Sequence, residues 1–508
     1  MTLVPPSHGG PQRTTDTIGG VKKTLAASIV ATVCMLGANV AHSEPVPAPW
    51  HLDRINQAAL PLDGDVSMGP LTGEGIDIYV VDSGTRATHE QFGGRVLAGV
   101  DYGYDPVDPP TSDCDGHGTH VSALAAGSSV GVAVRARIVA VRVLDCSGEG
   151  EVSDVVKALR WIRAHHVSGR AAVVNLSLGV DIGDDGEAIE AEVHRLIDEG
   201  VLAVVAAGNG DGGSNPLDAC DISPGHRPEV LTVAASTSLD AAAAYSNYGA
   251  CVDLYAPGGD RIQPVSSAWI DNDSDYDTEV GTSMAAPLAS GLAALLAQQQ
   301  PGACPAQIND AIISRATVNV LTGVPVGTAN RLLRIDTAPI PAATPGRASS
   351  VVLSTSRNSI TATWDPPCDG ASPVTSTVVK LMDSLGRTVK KVSVPAGTTK
   401  HTFTGLRAGL RYKVVVKAKN ALGDGVATSR LTSPVVRNLY LRSTYSTSSL
   451  VRHGETGLTL RWSVSSVSRG VCRMVGSTRI RFTAAGTCRV KLRFLSGGPA
   501  VIRKFSVR

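Results

Sequence analysis

Five short apolar runs, separated by longer stretches of helical periodicity, dominate the first half of the chain: Ile76 to Val81, Ile138 to Leu144, Ala171 to Leu178, Val201 to Ala207 and Val230 to Ala235. Each is rich in Val, Ile and Ala, as a strand buried on both faces must be. Between them, Val152 to His166 sets Val155, Val156, Leu159 and Ile162 at three- and four-residue spacing and leaves Lys157, Arg160 and Arg163 on a wetted face. Parallel strands need crossover helices, so this alternation predicts an α/β domain with a parallel sheet flanked by helices.

At 508 residues the chain exceeds what one core organises, so two or three domains are expected. The run Thr337-Ala338-Pro339-Ile340-Pro341-Ala342-Ala343-Thr344-Pro345 can sustain neither helix nor sheet and reads as a linker. The reading is therefore an α/β domain over 44–338, a linker at 339–345, and two all-β sandwich domains over 346–436 and 437–508. Apolar residues at 43% exclude a disordered chain.

Near the start, Lys22 and Lys23 precede an apolar stretch from Leu25 to Ala38 and then Ala41-His42-Ser43. That stretch is short for a membrane span, and the small residues suit a cleavage site, so 1–43 reads as a signal-peptide region and export is expected. Removing it takes away Cys34 and leaves eight of the nine cysteines, an even number suited to an oxidising compartment.

Charge is divided along the chain. Residues 1–344 carry 19 Lys and Arg against 40 Asp and Glu, a net −21, whereas 345–508 carry 27 against 5, a net +22. Two surfaces with separate partners are implied.

Three motifs carry chemistry. Val80-Val81-Asp82-Ser83-Gly84 puts an acid at the carboxyl end of the first strong strand, where α/β sheets place their sites. Asp115-Gly116-His117-Gly118-Thr119-His120 flanks an imidazole with glycines that admit close backbone approach. Gly281-Thr282-Ser283-Met284-Ala285-Ala286-Pro287 carries a serine into a helix start, whose free N–H groups favour developing negative charge. Singly, each has an ordinary reading as a turn acid, a loop histidine or an N-cap. Together, in the order Asp, His, Ser within one α/β domain, they match the order in which one class of serine protease carries its triad.

On these motifs the segment from about Ala48 to Ile335 resembles the subtilase family, in its proteinase K and aqualysin-like branch. The resemblance implies a serine endopeptidase with Ser283 as nucleophile, His117 as general base and Asp82 orienting it. Ala206-Ala207-Gly208-Asn209 resembles the oxyanion-hole motif, which assigns Asn209 as a donor beside the Ser283 amide. Ser177, Leu178 and Gly179, with Gly148 and Gly150 of Ser147-Gly148-Glu149-Gly150, resemble the strands that hold a substrate as an added β-strand.

The resemblance also implies two disulfides, Cys114 with Cys146 and Cys220 with Cys251. For Cys304 and Cys368 two readings stand, a bridge between domains or free thiols. The carbonyls of Pro228 and Val230 with the Asp253 carboxylate match a structural calcium (Ca2+) site of this branch, an oxygen set that suits a hard cation. Two departures stand out. Ala48-Pro49-Trp50 resembles a mature start yet follows the cleavage site by five residues, so no folding segment is expected between them. Ala286 and Leu288 replace the usual Thr and His, with modest effects expected.

Residues 346–436 resemble a fibronectin type III domain, with Trp364 in the second strand, a tyrosine-corner pattern from Leu406 to Tyr412, and Val414, Val416 and Ala418 alternating after it. Residues 437–508 resemble a small bacterial Ig-like module with Cys472 and Cys488 paired. Its Arg473, Arg479, Arg481, Arg489, Lys491 and Arg493 suit retention on an anionic cell-wall or surface polymer; a solvated face or docking on the acidic domain is the other reading. No aromatic interleaving marks a nucleic-acid module. Polypeptide substrates and a monomer are expected, secreted and in reach of the cell surface. A narrow-specificity processing protease and an inactive surface-binding protein are the alternative functions.

Overall fold

The computed structural model describes residues 2–3, 48–103, 112–167, 170–211, 215–356, 358–383, 385–406 and 411–431, with 444–446, 460–464, 471–475, 479–482, 486–494 and 501–507 in the C-terminal part. The signal-peptide reading at 21–43 lies outside the described residues.

The apolar runs form one sheet. Its strands are β1 (Asp77–Asp82), β2 (Val96–Asp101), β3 (Arg137–Arg142), β4 (Ala172–Leu176), β5 (Val201–Ala206), β6 (Leu231–Ser236), β7 (Leu254–Pro257), β8 (Thr317–Val318) and β9 (Arg331–Leu332). They lie in the order β8-β9-β7-β6-β5-β4-β1-β3-β2, parallel throughout except for the β8–β9 pair. Six helices accompany them: α1 (Trp50–Asn56), α2 (His117–Ala126), α3 (Val152–His165), α4 (Asp184–Asp198), α5 (Thr282–Gln299) and α6 (Pro305–Arg315).

Period-two alternation explains why the strands read as unbroken apolar runs. Ile78 and Val80 of β1 join the core shared with α2 and α5. Tyr79 and Val81 join the core shared with α3 and α4. Each fully buried Val, Ile or Leu contributes about 1.5–3 kcal/mol, so both faces must be apolar.

Strand order reverses at β1, whose neighbours are β3 on one side and β4 on the other. Chain segments leaving the carboxyl ends of β1, β3 and β4 therefore diverge there and open a crevice. Asp82 is the last residue of β1 and Ser177 follows β4 directly.

Residues 349–431 form two antiparallel sheets around Trp364, which is 3% exposed, and the fully buried Val414 and Val416. The linker is packed rather than loose. Ile340 is buried, the Ala343 amide donates to the Gly370 carbonyl at 2.7 Å, and Asn420 Nδ2 donates to the Ala343 carbonyl at 2.6 Å. Cys304 and Cys368 are bonded across this junction, which settles the open choice as a bridge.

The C-terminal part forms two three-stranded antiparallel sheets joined by Cys472–Cys488. Arg481 is exposed there; the side chains of the other five basic positions lie outside the described residues. Among the described residues no helix is long and apolar enough to cross a membrane.

Candidate active site

At the carboxyl end of β1, the Asp82 Oδ1 atom lies 2.7 Å from His117 Nδ1, with both side chains buried. The close packing of α2 on β1 makes this approach possible. A Cβ at Gly118 would stand 2.2 Å from the Gly84 carbonyl oxygen, and Gly116, at φ +112°, would place one 2.5 Å from the Trp269 ring. Only glycine fits either position without moving backbone or indole.

A residue not anticipated from sequence fixes the start of α2. Asp113 Oδ1 accepts from Ser83 Oγ at 2.9 Å and from the Asp115 and Gly116 amides at 3.0 and 2.9 Å. Its Oδ2 accepts from the Thr119 amide at 2.8 Å and from Thr119 Oγ1 at 2.7 Å. Ser83 Oγ in turn accepts the Gly118 amide at 2.9 Å. One carboxylate thus ties the end of β1 to the first turn of α2. An acid just ahead of a helix start is a capping signal and was there to be found.

Burial by itself would lower the His117 pKa. The Asp82 carboxylate outweighs it, and Asp115 and Glu279 add to the same side, so the imidazole is raised to about 9. The neighbouring His120 goes the opposite way: burial outweighs the pull of Glu279, and its pKa falls to about 3.

Ser283 stands in the first turn of α5, where backbone N–H groups have no partner within the helix. Its backbone carbonyl accepts from Ser177 Oγ at 3.0 Å, and its hydroxyl donates to the Ser177 carbonyl at 3.3 Å. Asn175 Nδ2 donates to Ser177 Oγ at 3.0 Å, and Ser290 Oγ donates to Asn175 Oδ1 at 2.8 Å. This chain of contacts locks α5 onto β4. Ser177, expected on the substrate strand, is fully buried beneath α5, with its side chain turned to the Ser283 carbonyl.

Asn209 Oδ1 accepts from the Thr282 amide at 2.9 Å and from Thr282 Oγ1 at 2.7 Å. With its oxygen so occupied, the Asn209 side chain has its Nδ2 donor against Gly281, 3.0 Å from where a Cβ of that glycine would stand. Thr282 also accepts the Gly208 amide at 3.1 Å and so orients the whole motif.

Ser177, Leu178, Gly179 and Asn209 line one cavity of about 480 Å³. Gly150 belongs to a short edge, Gly150–Glu151, that pairs antiparallel with Thr2–Leu3, the pairing an extended peptide would make. Gly148 is buried in the preceding turn at φ +75°.

Cys114–Cys146 ties the segment ahead of α2 to the loop after β3, and Cys220–Cys251 ties the segment between β5 and β6 to the one ahead of β7. Pro228, Val230 and Asp253 sit at the amino ends of β6 and β7, away from the crevice. There the Thr232 amide donates to Asp253 Oδ2 at 2.8 Å, and burial raises the carboxyl's pKa to about 6. Ala286 and Leu288 are buried in the core of α5.

The subtilase family model matches residues 73–336, just over half of the chain, and the fibronectin type III model matches 345–435. An extracellular serine proteinase of Thermus sp. (strain Rt41A) is 44% identical over 277 residues, 54% of this chain and 63% of that protein. Alkaline serine exoprotease A of Vibrio alginolyticus is 41% identical over 286 residues, 56% and 50% of the two chains. The chain thus spans about half to two thirds of these relatives. The crystal structure of a cold-adapted subtilisin-like serine proteinase superposes with a TM-score of 0.52 at 41% identity, covering 58% of this chain and all of that one. With that family model matched over more than half of its length, on a parallel sheet that holds the buried Asp82–His117 pair, this chain belongs to the subtilase family.

Proposed function

We propose that the chain is a secreted serine endopeptidase. The observation that carries this is the buried Asp82–His117 pair at 2.7 Å, set beside a helix start that presents Ser283. His117 accepts the Ser283 hydroxyl proton as Oγ attacks a peptide carbonyl, and Asp82 holds the imidazole in one tautomer and stabilises its cation. Asn209 Nδ2 and the Ser283 amide stabilise the oxyanion, a donor typically worth about 100- to 1,000-fold in turnover. The acyl-enzyme is then hydrolysed by water with His117 returning the proton. The substrate strand lies along Gly179 and Gly150. Export is supported by the segment at 21–43 and by relatives named as extracellular. The basic C-terminal module suits retention on an anionic polymer.

The test is casein hydrolysis by the full chain beside Ser283→Ala, with and without phenylmethylsulfonyl fluoride. Activity lost in both arms supports the reading. Equal cleavage by wild type and variant overturns it and favours a binding protein.

Only neutral His117 accepts a proton, so a raised pKa moves the acid limb of kcat/KM upward. Its midpoint is expected above the ordinary histidine value of about 6.5, toward the value of about 9. Glu279→Gln removes a negative charge and lowers that midpoint; a wild-type limb at or below the ordinary value overturns this account of the His117 environment.

Calcium fits Asp253 with the Pro228 and Val230 carbonyls, because burial raises the carboxyl's pKa even with the Thr232 amide and the Arg331 guanidinium beside it, so its charge is only partly compensated. Bound calcium would complete that compensation and pin β6 to β7, far from the chemistry. Calcium at 100 times its Kd should add about 2.7 kcal/mol to unfolding stability, and Asp253→Asn should abolish the increment. A calcium effect unchanged in that variant assigns the ion elsewhere.

A further inference from the structure

The cavity beside Asn209 has walls of Leu178, Val180, Leu217 and Ile222, and the ionisable residues among its lining are Asp181 and Asp211. Both are acids and no cation lines it. Asp181 is exposed on the short strand Val180–Asp181 and takes part in no ion pair among the described residues. Asp211 Oδ1 accepts from the Asn215 amide at 3.3 Å and its Oδ2 from Asn215 Nδ2 at 3.0 Å.

We propose that this pocket takes the side chain of lysine or arginine at the substrate residue just before the scissile bond, with Asp181 and Asp211 as its charge partners. The proposal rests on the protease reading and names its substrate class. A long cationic side chain lays its methylenes along the apolar walls while its charged head reaches the carboxylates. An aromatic or aliphatic side chain filling the same space would desolvate those carboxylates without pairing them. The field of the domain acts the same way, since residues 1–344 carry a net −21 that draws cationic peptides toward the crevice.

Two measurements decide it. In the full-length wild type, kcat/KM is compared for succinyl-Ala-Ala-Pro-Arg and succinyl-Ala-Ala-Pro-Phe p-nitroanilides. In Ser283→Ala, the Kd values of the product peptides acetyl-Ala-Ala-Pro-Arg and acetyl-Ala-Ala-Pro-Phe are compared by calorimetry, so that the pocket is read without catalysis. Charge-assisted hydrogen bonding leads us to expect an Arg-over-Phe preference of about 10-fold or more in both. The ratio should fall about 10-fold in Asp181→Asn and invert toward a glutamate-ended peptide in Asp181→Arg. A Kd ratio at or below one in Ser283→Ala, or a ratio untouched in both Asp181 variants, overturns the proposal. Absence of hydrolysis with an intact Arg preference in binding overturns the protease reading instead.

Discussion

Ser283→Ala is expected to lower kcat for peptide hydrolysis by about a million-fold, a magnitude known from subtilisin itself rather than derived from this chain. The variant keeps Asp82, His117 and the oxyanion donors, yet has no oxygen to attack the carbonyl. A residual of about 1,000- to 10,000-fold over water should persist, because Asn209 and the helix-start amides still stabilise an oxyanion formed by water. Product-peptide affinity should stay near wild type, since the Ser283 hydroxyl contributes one contact, to the Ser177 carbonyl at 3.3 Å. Steady-state kinetics with peptide binding separate the two effects. A loss smaller than about 1,000-fold would mean that another group attacks.

Arg54→Met is expected to destabilise the α/β domain by about 3–5 kcal/mol. Arg54 is fully buried in α1, with Nε donating to Asp240 Oδ1 at 2.6 Å and Nη2 to Oδ2 at 2.9 Å. Nη1 donates to the Gln57 carbonyl at 2.9 Å. Asp240 sits at φ +54°, so this ion pair also holds a left-handed turn between β6 and β7. The methionine keeps most of the volume but strands a buried carboxylate. The double variant Arg54→Met/Asp240→Leu should recover much of the loss, because the unpaired charge is then gone. Urea unfolding reads both. A single-variant loss under about 1 kcal/mol, the range of a surface pair, would show that water already reaches the pair.

Sequence alone determined the parallel sheet and the placement of the site. Strands covered on both faces are apolar at nearly every position, so Ile76 to Val81, broken only by Asp77, and its counterparts announce themselves without alternation. The observed β1 begins and ends one residue later than that run, bringing Asp82 inside the strand. The Asp, His and Ser motifs were legible because each sits where local chemistry demands particular neighbours. Gly116 and Gly118 beside His117 are one case, and a helix start behind Ser283 is another.

Tertiary structure alone decided what depends on residues distant in sequence. Arg54 and Asp240 are 186 residues apart, and neither carries a local signal that the other is its partner. Cys304 and Cys368 are 64 apart and become bondable only when the packed linker brings their Cα atoms to 5.2 Å. The direction of the Ser177 side chain, the fivefold engagement of Asp113 and the meeting of Asp181 with Asp211 in one pocket are of the same kind. Periodicity and motif spacing report what each segment needs from its own neighbours. Which distant segments then satisfy one another is a property of the packed fold, where burial makes every unpaired polar group costly and so selects its partner.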